Sequence, residues 1–364
     1  MKIAFVITGL GMGGAEKQVC AIADKLAINN DVILISLSNE KIIIKPENIN
    51  IKLFSLGMKK TPLSFILALK ETRKILADYK PDIVHSHMIH ANIFSRILRL
   101  FIRMPVLVCT AHSKNEGGKL RTLLYRITDN LATISTNVSQ EAVDSFISQK
   151  ATKPGRMIPF YNGIDTDKFH YDANIRKNKR QEINISEETK IILAVGRLTE
   201  AKDYPNLLHA FSKLNKSTQP KLLIIGDGED KNKLLQLADK LNISQYVIWL
   251  GIRHDVQDWM SACDLFVLSS AWEGFGLVVA EAMACERLVI GTNAGGVSEV
   301  INEYGLLIPT NDSDALSSAI VQYLSLTTHE RNIIGANARK HVIDKFSLDK
   351  ISHEWLKLYT DFLK

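Results

Sequence analysis

Short β-branched and aliphatic runs alternate with amphipathic stretches along the whole chain, and this alternation limits the fold more than any other feature. Strands are expected over 3–8, 32–36, 51–53, 83–86, 106–110 and 132–135. A second set is expected over 191–195, 221–225, 247–250, 265–268, 288–291 and 305–308. Helical periodicity lies between them, as at 16–27, 63–78, 207–214 and 230–240. Strand, helix and strand joined by short punctuated connections build βαβ units and parallel sheets. A polar, aperiodic stretch at 171–188 separates the two sets and reads as a linker. The pattern therefore predicts an α/β protein of two Rossmann-like, doubly wound parallel-sheet domains facing a cleft. The expected divisions are 1–175 for the first domain, 176–345 for the second, and 346–364 for a C-terminal helix packing back on the first. With 364 residues, 46% of them hydrophobic, there is core enough for both.

The net charge of +6 conceals an asymmetry. Residues 1–180 hold 27 Lys and Arg against 15 Asp and Glu, whereas the remainder holds 18 against 24. Anionic lipid, nucleic acid or an anionic acceptor could each meet the basic half, and a well-solvated surface gives the same count. Four scattered cysteines (Cys20, Cys109, Cys263, Cys285) without a Cys-x-x-Cys pair argue against a disulfide framework or a thiolate zinc site. No apolar run reaches about 18 residues, and the first eight residues read as a strand and not a leader, so the chain is expected in the cytoplasm.

In parallel sheets of this kind ligands sit beyond the carboxyl ends of the strands. Three loops there are unusual. Gly9-Leu10-Gly11-Met12-Gly13-Gly14-Ala15-Glu16 formally matches Gly-x-Gly-x-x-Gly, but no acidic residue closes the second strand, so it reads as a phosphate-contacting loop and not a nicotinamide site. Arg197 and Lys202 follow the strand at 191–195 and could close on two adjacent phosphates, or could be two solvated cations. Glu273 sits in the third loop, followed by Gly274, Phe275, Gly276 and a helix from about Leu277 that contains Glu281. A carboxylate inside that apolar helix needs donors, supplied by a ribose diol or by a structural Arg or Lys. Glu273 could equally be an N-terminal cap.

Glu273-x7-Glu281, Val195-Gly196-Arg197 with Lys202, Gly13-Gly14-Ala15-Glu16 and Asn162-Gly163-Ile164-Asp165, in this order, resemble the retaining family 4 glycosyltransferases of the GT-B fold. The resemblance spans essentially the whole chain. It implies transfer of a hexose or N-acetylhexosamine from a nucleotide diphosphate sugar, UDP-linked ahead of GDP-linked. The implied acceptor is a glycan on a lipid diphosphate carrier, as in surface polysaccharide synthesis. It also implies donor binding in the second domain and acceptor binding mainly in the first. Carried over by position, Arg197 and Lys202 correspond to the diphosphate clamp, Glu281 to the ribose carboxylate, and Glu273 to the residue touching the transferred sugar. Gly13 and Gly14 correspond to the front loop reaching the diphosphate, and His112 to the cleft histidine beside the reacting centre. Phe275, Gly276 and Leu277 correspond to backbone donors, and Arg253 belongs to the segment facing the base. No metal and no other cofactor is implied.

Two positions depart from the family pattern: Asp203 and Glu286 stand where glycines are usual. Asp203 is expected to face away or cap the next helix, and Glu286 to take a left-handed conformation at a cost of about 1 kcal/mol. Asp165-Thr166-Asp167, assigned to the first domain, and His85-Ser86-His87-Met88-Ile89-His90 imitate metal motifs. Alternation of faces along the latter argues for acceptor contacts or satisfied histidines instead. Arg96, Arg99 and Arg103 give 93–104 one basic helical face, and Lys119, Arg121 and Arg126 form a second basic patch. Together they suggest peripheral contact with the cytoplasmic face of an anionic inner membrane, unless 93–104 is simply a sheet-packing helix. No basic-aromatic module for nucleic acid is present. The rival readings are a nucleotide-sugar epimerase or hydrolase of the same fold and a non-catalytic nucleotide-sugar-binding subunit.

Overall fold

A computed structural model describes residues 1–114, 117–215 and 220–364. The chain divides into two compact units, Met1–Gly163 with Leu348–Lys364, and Ile164–Ser347. The first contains strands β1 (Lys2–Ile7), β2 (Asp31–Ser38), β3 (Lys52–Met58), β4 (Ile83–His87), β5 (Val106–Ala111), β6 (Ile134–Asn137) and β7 (Met157–Pro159). They form one parallel sheet in the order β3-β2-β1-β4-β5-β6-β7. The second unit contains β8 (Ile191–Val195), β9 (Lys221–Ile225), β10 (Val247–Gly251), β11 (Leu265–Leu268), β12 (Leu288–Thr292) and β13 (Leu306–Ile308). Their order, β10-β9-β8-β11-β12-β13, is again parallel throughout. Each sheet reverses direction once, between β1 and β4 and between β8 and β11. Those switch points are where a doubly wound sheet opens a crevice for a ligand. Among the described strands β7, three residues long, has no counterpart among the expected ones.

Burial explains why these runs are strands. Ile3 to Ile7 are fully buried, which requires both sheet faces to be covered. One face packs on the helix Gly14–Leu26 and on Ile351, Trp355 and Tyr359 of the C-terminal helix Leu348–Leu363. The other face packs on Ala68 and Leu76 of the helix Pro62–Tyr79 and on Ala91, Phe94 and Leu98 of the helix Ile89–Leu98.

Three expectations need correction. The stretch 171–188 is no linker: Ala173–Glu182 is a helix capped by Asp172, and the boundary between units falls earlier, after Gly163. It is held by cations in place of leucines, so it shows no apolar period. Arg176 donates to the carbonyls of Ala262 and Cys263 and to Asp264, and buried Arg180 donates to Ala262 and Ser186. Second, Arg96 does not contribute to a basic face. It is fully buried, donating to Tyr125 O, Thr128 Oγ1 and Ser135 Oγ, and Arg99 donates to the carbonyls of Leu131 and Met104. Third, Asp165 and Asp167 lie in the second unit, where Asp165 Oδ1 accepts from the N–H groups of Asp167 and Lys168 in a local turn. Asp203 and Glu286 are both left-handed, at φ 43° and 60°, and Asp203 caps the helix Tyr204–Ser212 through Asn206 N–H. Among the described residues no helix is long and apolar enough to cross a membrane.

Candidate active site

In the second unit, the loops after β8 and β11 are stitched together at the switch point. Ala271 N–H donates to Ala201 O at 2.9 Å and Ser269 Oγ to Lys202 O at 2.8 Å. This brings the Lys202 ammonium onto the Glu273 carboxylate, with both side chains about one-fifth exposed. Ser270 Oγ donates to the same Glu273 oxygen at 3.3 Å, and Gly274 N–H to the other at 3.4 Å. Arg197 is exposed at the end of β8. Phe275 is buried, its ring edge-on to Phe346 at 5.4 Å, so only its backbone is available for a ligand. Gly276, at φ 87°, caps the helix Leu277–Ala284, whose first N–H groups lack a side-chain cap. Glu281 is half-buried one turn further on, on the side of that helix below Leu277.

A third loop, after β12, was not singled out in the sequence. Thr292 Oγ1 donates to Ser270 O at 2.5 Å, and Gly296 N–H to Gly274 O at 3.1 Å. Gly295 is left-handed (φ 59°), and a Cβ there would come within 1.9 Å of Glu273 O. The Gly295-Gly296 doublet directly after an apolar strand was the available signal. Arg253 forks onto Asp255 at 2.8 and 2.6 Å and reaches Glu182 at 3.4 Å. That fork pulls the Asp255 carboxyl well below the usual carboxylate range. The guanidinium expected beside a base is thus already fastened to the helix Ala173–Glu182.

In the first unit, Gly13 is the extended N-cap of the helix Gly14–Leu26, and a Cβ on it would come within 2.5 Å of the Glu16 carboxylate. The atoms it would meet are the end of a flexible side chain, and the φ of -163° is ordinary extended backbone, so neither requires a glycine here. His112 follows β5, and His87 ends β4; His87 Nδ1 lies 3.1 Å from His112 Nε2. His85 and His87, two residues apart, share a face, with ring centroids 4.0 Å apart. His85 is satisfied on both nitrogens at 2.6 Å, by Tyr359 Oη of the C-terminal helix and by Thr110 Oγ1. Burial lowers all three pKa values, that of His112 to about 4. Met88, the next residue, has φ 72° and ψ 155°, a region nearly restricted to glycine that costs a side chain about 1–3 kcal/mol. Among the described residues no group of three or more His, Cys, Asp or Glu is placed to hold a metal ion.

Residues 12–168 match the model of the family described as Glycosyltransferase Family 4, and residues 175–341 match that of Glycosyl transferases group 1. Over 336 residues the chain is 30% identical to the Campylobacter jejuni protein named N-acetylgalactosamine-N,N'-diacetylbacillosaminyl-diphospho-undecaprenol 4-alpha-N-acetylgalactosaminyltransferase, covering 86% of this chain and 88% of that one. The chain belongs to glycosyltransferase family 4. This family 4 glycosyltransferase is also 32% identical over 234 residues to the Bacillus anthracis N-acetyl-alpha-D-glucosaminyl L-malate synthase. That match covers 64% of the chain and 60% of the relative, less than two thirds of its length. Anabaena HepE, solved in complex with UDP, superposes with a TM-score of 0.83 at 22% identity, over 99% of this glycosyltransferase and 100% of HepE. The shared architecture is the GT-B fold.

Proposed function

We propose that this glycosyltransferase moves a hexose or N-acetylhexosamine, with retention of configuration, from a UDP-sugar (a GDP-sugar is second choice) to a lipid-diphosphate-linked glycan in surface polysaccharide synthesis. The observation that carries the reading is the meeting of Lys202 and Glu273 at the β8–β11 switch point, beside the open N-terminus of the helix Leu277–Ala284. A cation and uncapped N–H groups suit a leaving diphosphate, and a carboxylate suits the hydroxyls of the sugar it leaves. As the bond from the anomeric carbon to the phosphate oxygen breaks, Lys202 and Arg197 neutralise the charge that develops, so departure requires no metal. The acceptor hydroxyl attacks from the same face, and its proton passes to the leaving phosphate oxygen. His112 stands on the acceptor side. The lipid-linked acceptor and the UDP donor are supported by the names of the Campylobacter relative and the Anabaena structure.

Contact with an anionic membrane belongs to the same proposal, on a different surface from the buried Arg96. The helix Lys119–Thr128 exposes Leu120, Leu123 and Ile127 at helical spacing, flanked by exposed Lys119, Arg121 and Arg126 and without an acidic residue. The experiment for the reaction measures nucleoside diphosphate release from UDP-, GDP- and ADP-sugars, with and without a polyprenyl-diphosphate glycan, in EDTA. Acceptor-dependent release with an α-linked product from an α-linked donor is expected. Equal release without acceptor would favour a hydrolase, and loss of release in EDTA would return metal chemistry to the site.

A further inference from the structure

We propose that His87 is a positioning residue for His112: His87 donates from Nδ1, His112 accepts at Nε2, and the His112 ring is thereby held in the tautomer that carries its proton on Nδ1. The proposal deepens the reading of His112 as an acceptor-side group and rests on it.

The direction of the hydrogen bond follows from the surroundings of His87. The two nitrogens are 3.1 Å apart, so one of them carries the proton between them. Burial disfavours a charge on either ring, which leaves each with a single N–H. His87 is 1% exposed, and its Nε2 has no hydrogen-bond partner among the described residues. Were His112 the donor, the proton of His87 would sit on that Nε2 as a stranded, buried N–H, the rarer and costlier kind of orphan. With His87 as donor the orphan is only a lone pair, in a ring that packs 4.0 Å from the His85 ring and 5.7 Å from Phe5.

The backbone around His87 is held in place as well. His87 pairs with Thr110 across β4 and β5, which sets His112 just past the end of the same ladder. The strained Met88 is fixed by its N–H to Thr110 O at 3.0 Å and by Asn92 N–H to its own carbonyl at 2.9 Å. Asn92 also donates its side-chain amide to Thr110 O at 2.9 Å and accepts from Ser86 Oγ at 2.7 Å. A strained non-glycine conformation held this firmly at a strand end is a mark of a site whose geometry matters. The chemical consequence is specific. With Nε2 engaged as an acceptor, His112 has no basic nitrogen with which to take a proton. Its part is to orient a hydroxyl, and the proton of that hydroxyl goes to the leaving phosphate oxygen.

Nitrogen-15 imidazole spectra of the wild-type chain test the proposal without relying on activity. A pyrrole-like Nδ1 and a pyridine-like Nε2 are expected for His112, and the opposite pattern overturns the proposal. His87→Asn keeps a donor where Nδ1 stood and is expected to preserve the tautomer and most of kcat. His87→Leu is expected to lose the tautomer preference and to lower kcat at least about tenfold, the scale on which outer partners of a working side chain act, with donor KM unchanged. Equal loss of kcat in the two variants, or an unaltered His112 tautomer in His87→Leu, overturns it. Full turnover in His112→Ala removes the acceptor-side reading, and with it the positioning role, whatever the wild-type spectrum shows.

Discussion

Lys202 and Glu273 are 71 positions apart and form one ion pair, which alters what each substitution is expected to do. Lys202→Ala removes a contact that strengthens as the leaving group ionises, at a cost in turnover of about 2–4 kcal/mol. Glu273→Ala releases the ammonium, so affinity for free nucleoside diphosphate should hold or rise while turnover falls. Glu281→Ala is expected to weaken nucleoside diphosphate binding by about 1.5–3 kcal/mol, the cost of a lost hydrogen bond to a charged group. Calorimetry on the three variants separates these outcomes, and equal loss of affinity in both glutamate variants would contradict the division of the donor between them. Lys202 and Glu273 stand out in the sequence because each follows an apolar strand in a charged or glycine-rich run, and Glu281 because it is a carboxylate inside an apolar helix. The pairing of the first two does not, since nothing local links positions 202 and 273. Ser270, Thr292 and Gly295 support Glu273 from loops whose value depends on backbone approach, which composition does not record.

Elements carried by cations were the hardest to read. The helix Ala173–Glu182 and the buried Arg96 both bond backbone carbonyls with guanidinium groups, and polar periodicity of this kind looks like solvent exposure. The helix Lys119–Thr128 is the opposite case, with leucines that face outward. Replacing Leu120, Leu123 and Ile127 together with Asn is expected to reduce sedimentation with anionic vesicles while leaving the melting temperature within a few degrees. Unchanged sedimentation would rule this helix out as the contact. The ends of β4 and β5 set a pH dependence. His85, His87 and His112 have folded pKa values below their ordinary 6.5, so below that pH the unfolded chain binds more protons than the folded one. Stability is therefore expected to fall between about pH 6.5 and 4, by about 1.4 kcal/mol per pH unit for each histidine that takes up a proton on unfolding. Urea midpoints across that range check it, and His112→Asn should flatten the slope by one proton.

At the scale of the molecule, the second unit is an insertion in the first: the chain leaves after Gly163 and returns at Leu348. The two crossings run side by side, joined by a parallel bridge between Ile164 and Ser347. Removing 348–364 strips Ile351, Trp355 and Tyr359 from one face of the first sheet, including the Phe160–Trp355 stack at 3.5 Å and the partner of His85. Each such side chain contributes about 1.5–3 kcal/mol by burial, so the truncated first unit is expected to lose cooperative unfolding and bind a hydrophobic dye. The fragment Ile164–Ser347 within it should stay resistant to protease; wild-type resistance of both halves would count against this dependence. The same insertion sets an order of events during translation. The β-strands of the first unit leave the ribosome well before the helix that completes them, and a whole domain is synthesised in the interval. A nascent chain whose residues up to Ser347 have left the ribosome while Leu348–Leu363 have not is thus expected to carry a finished second domain behind an unfinished first one, a natural client for chaperones until that helix emerges.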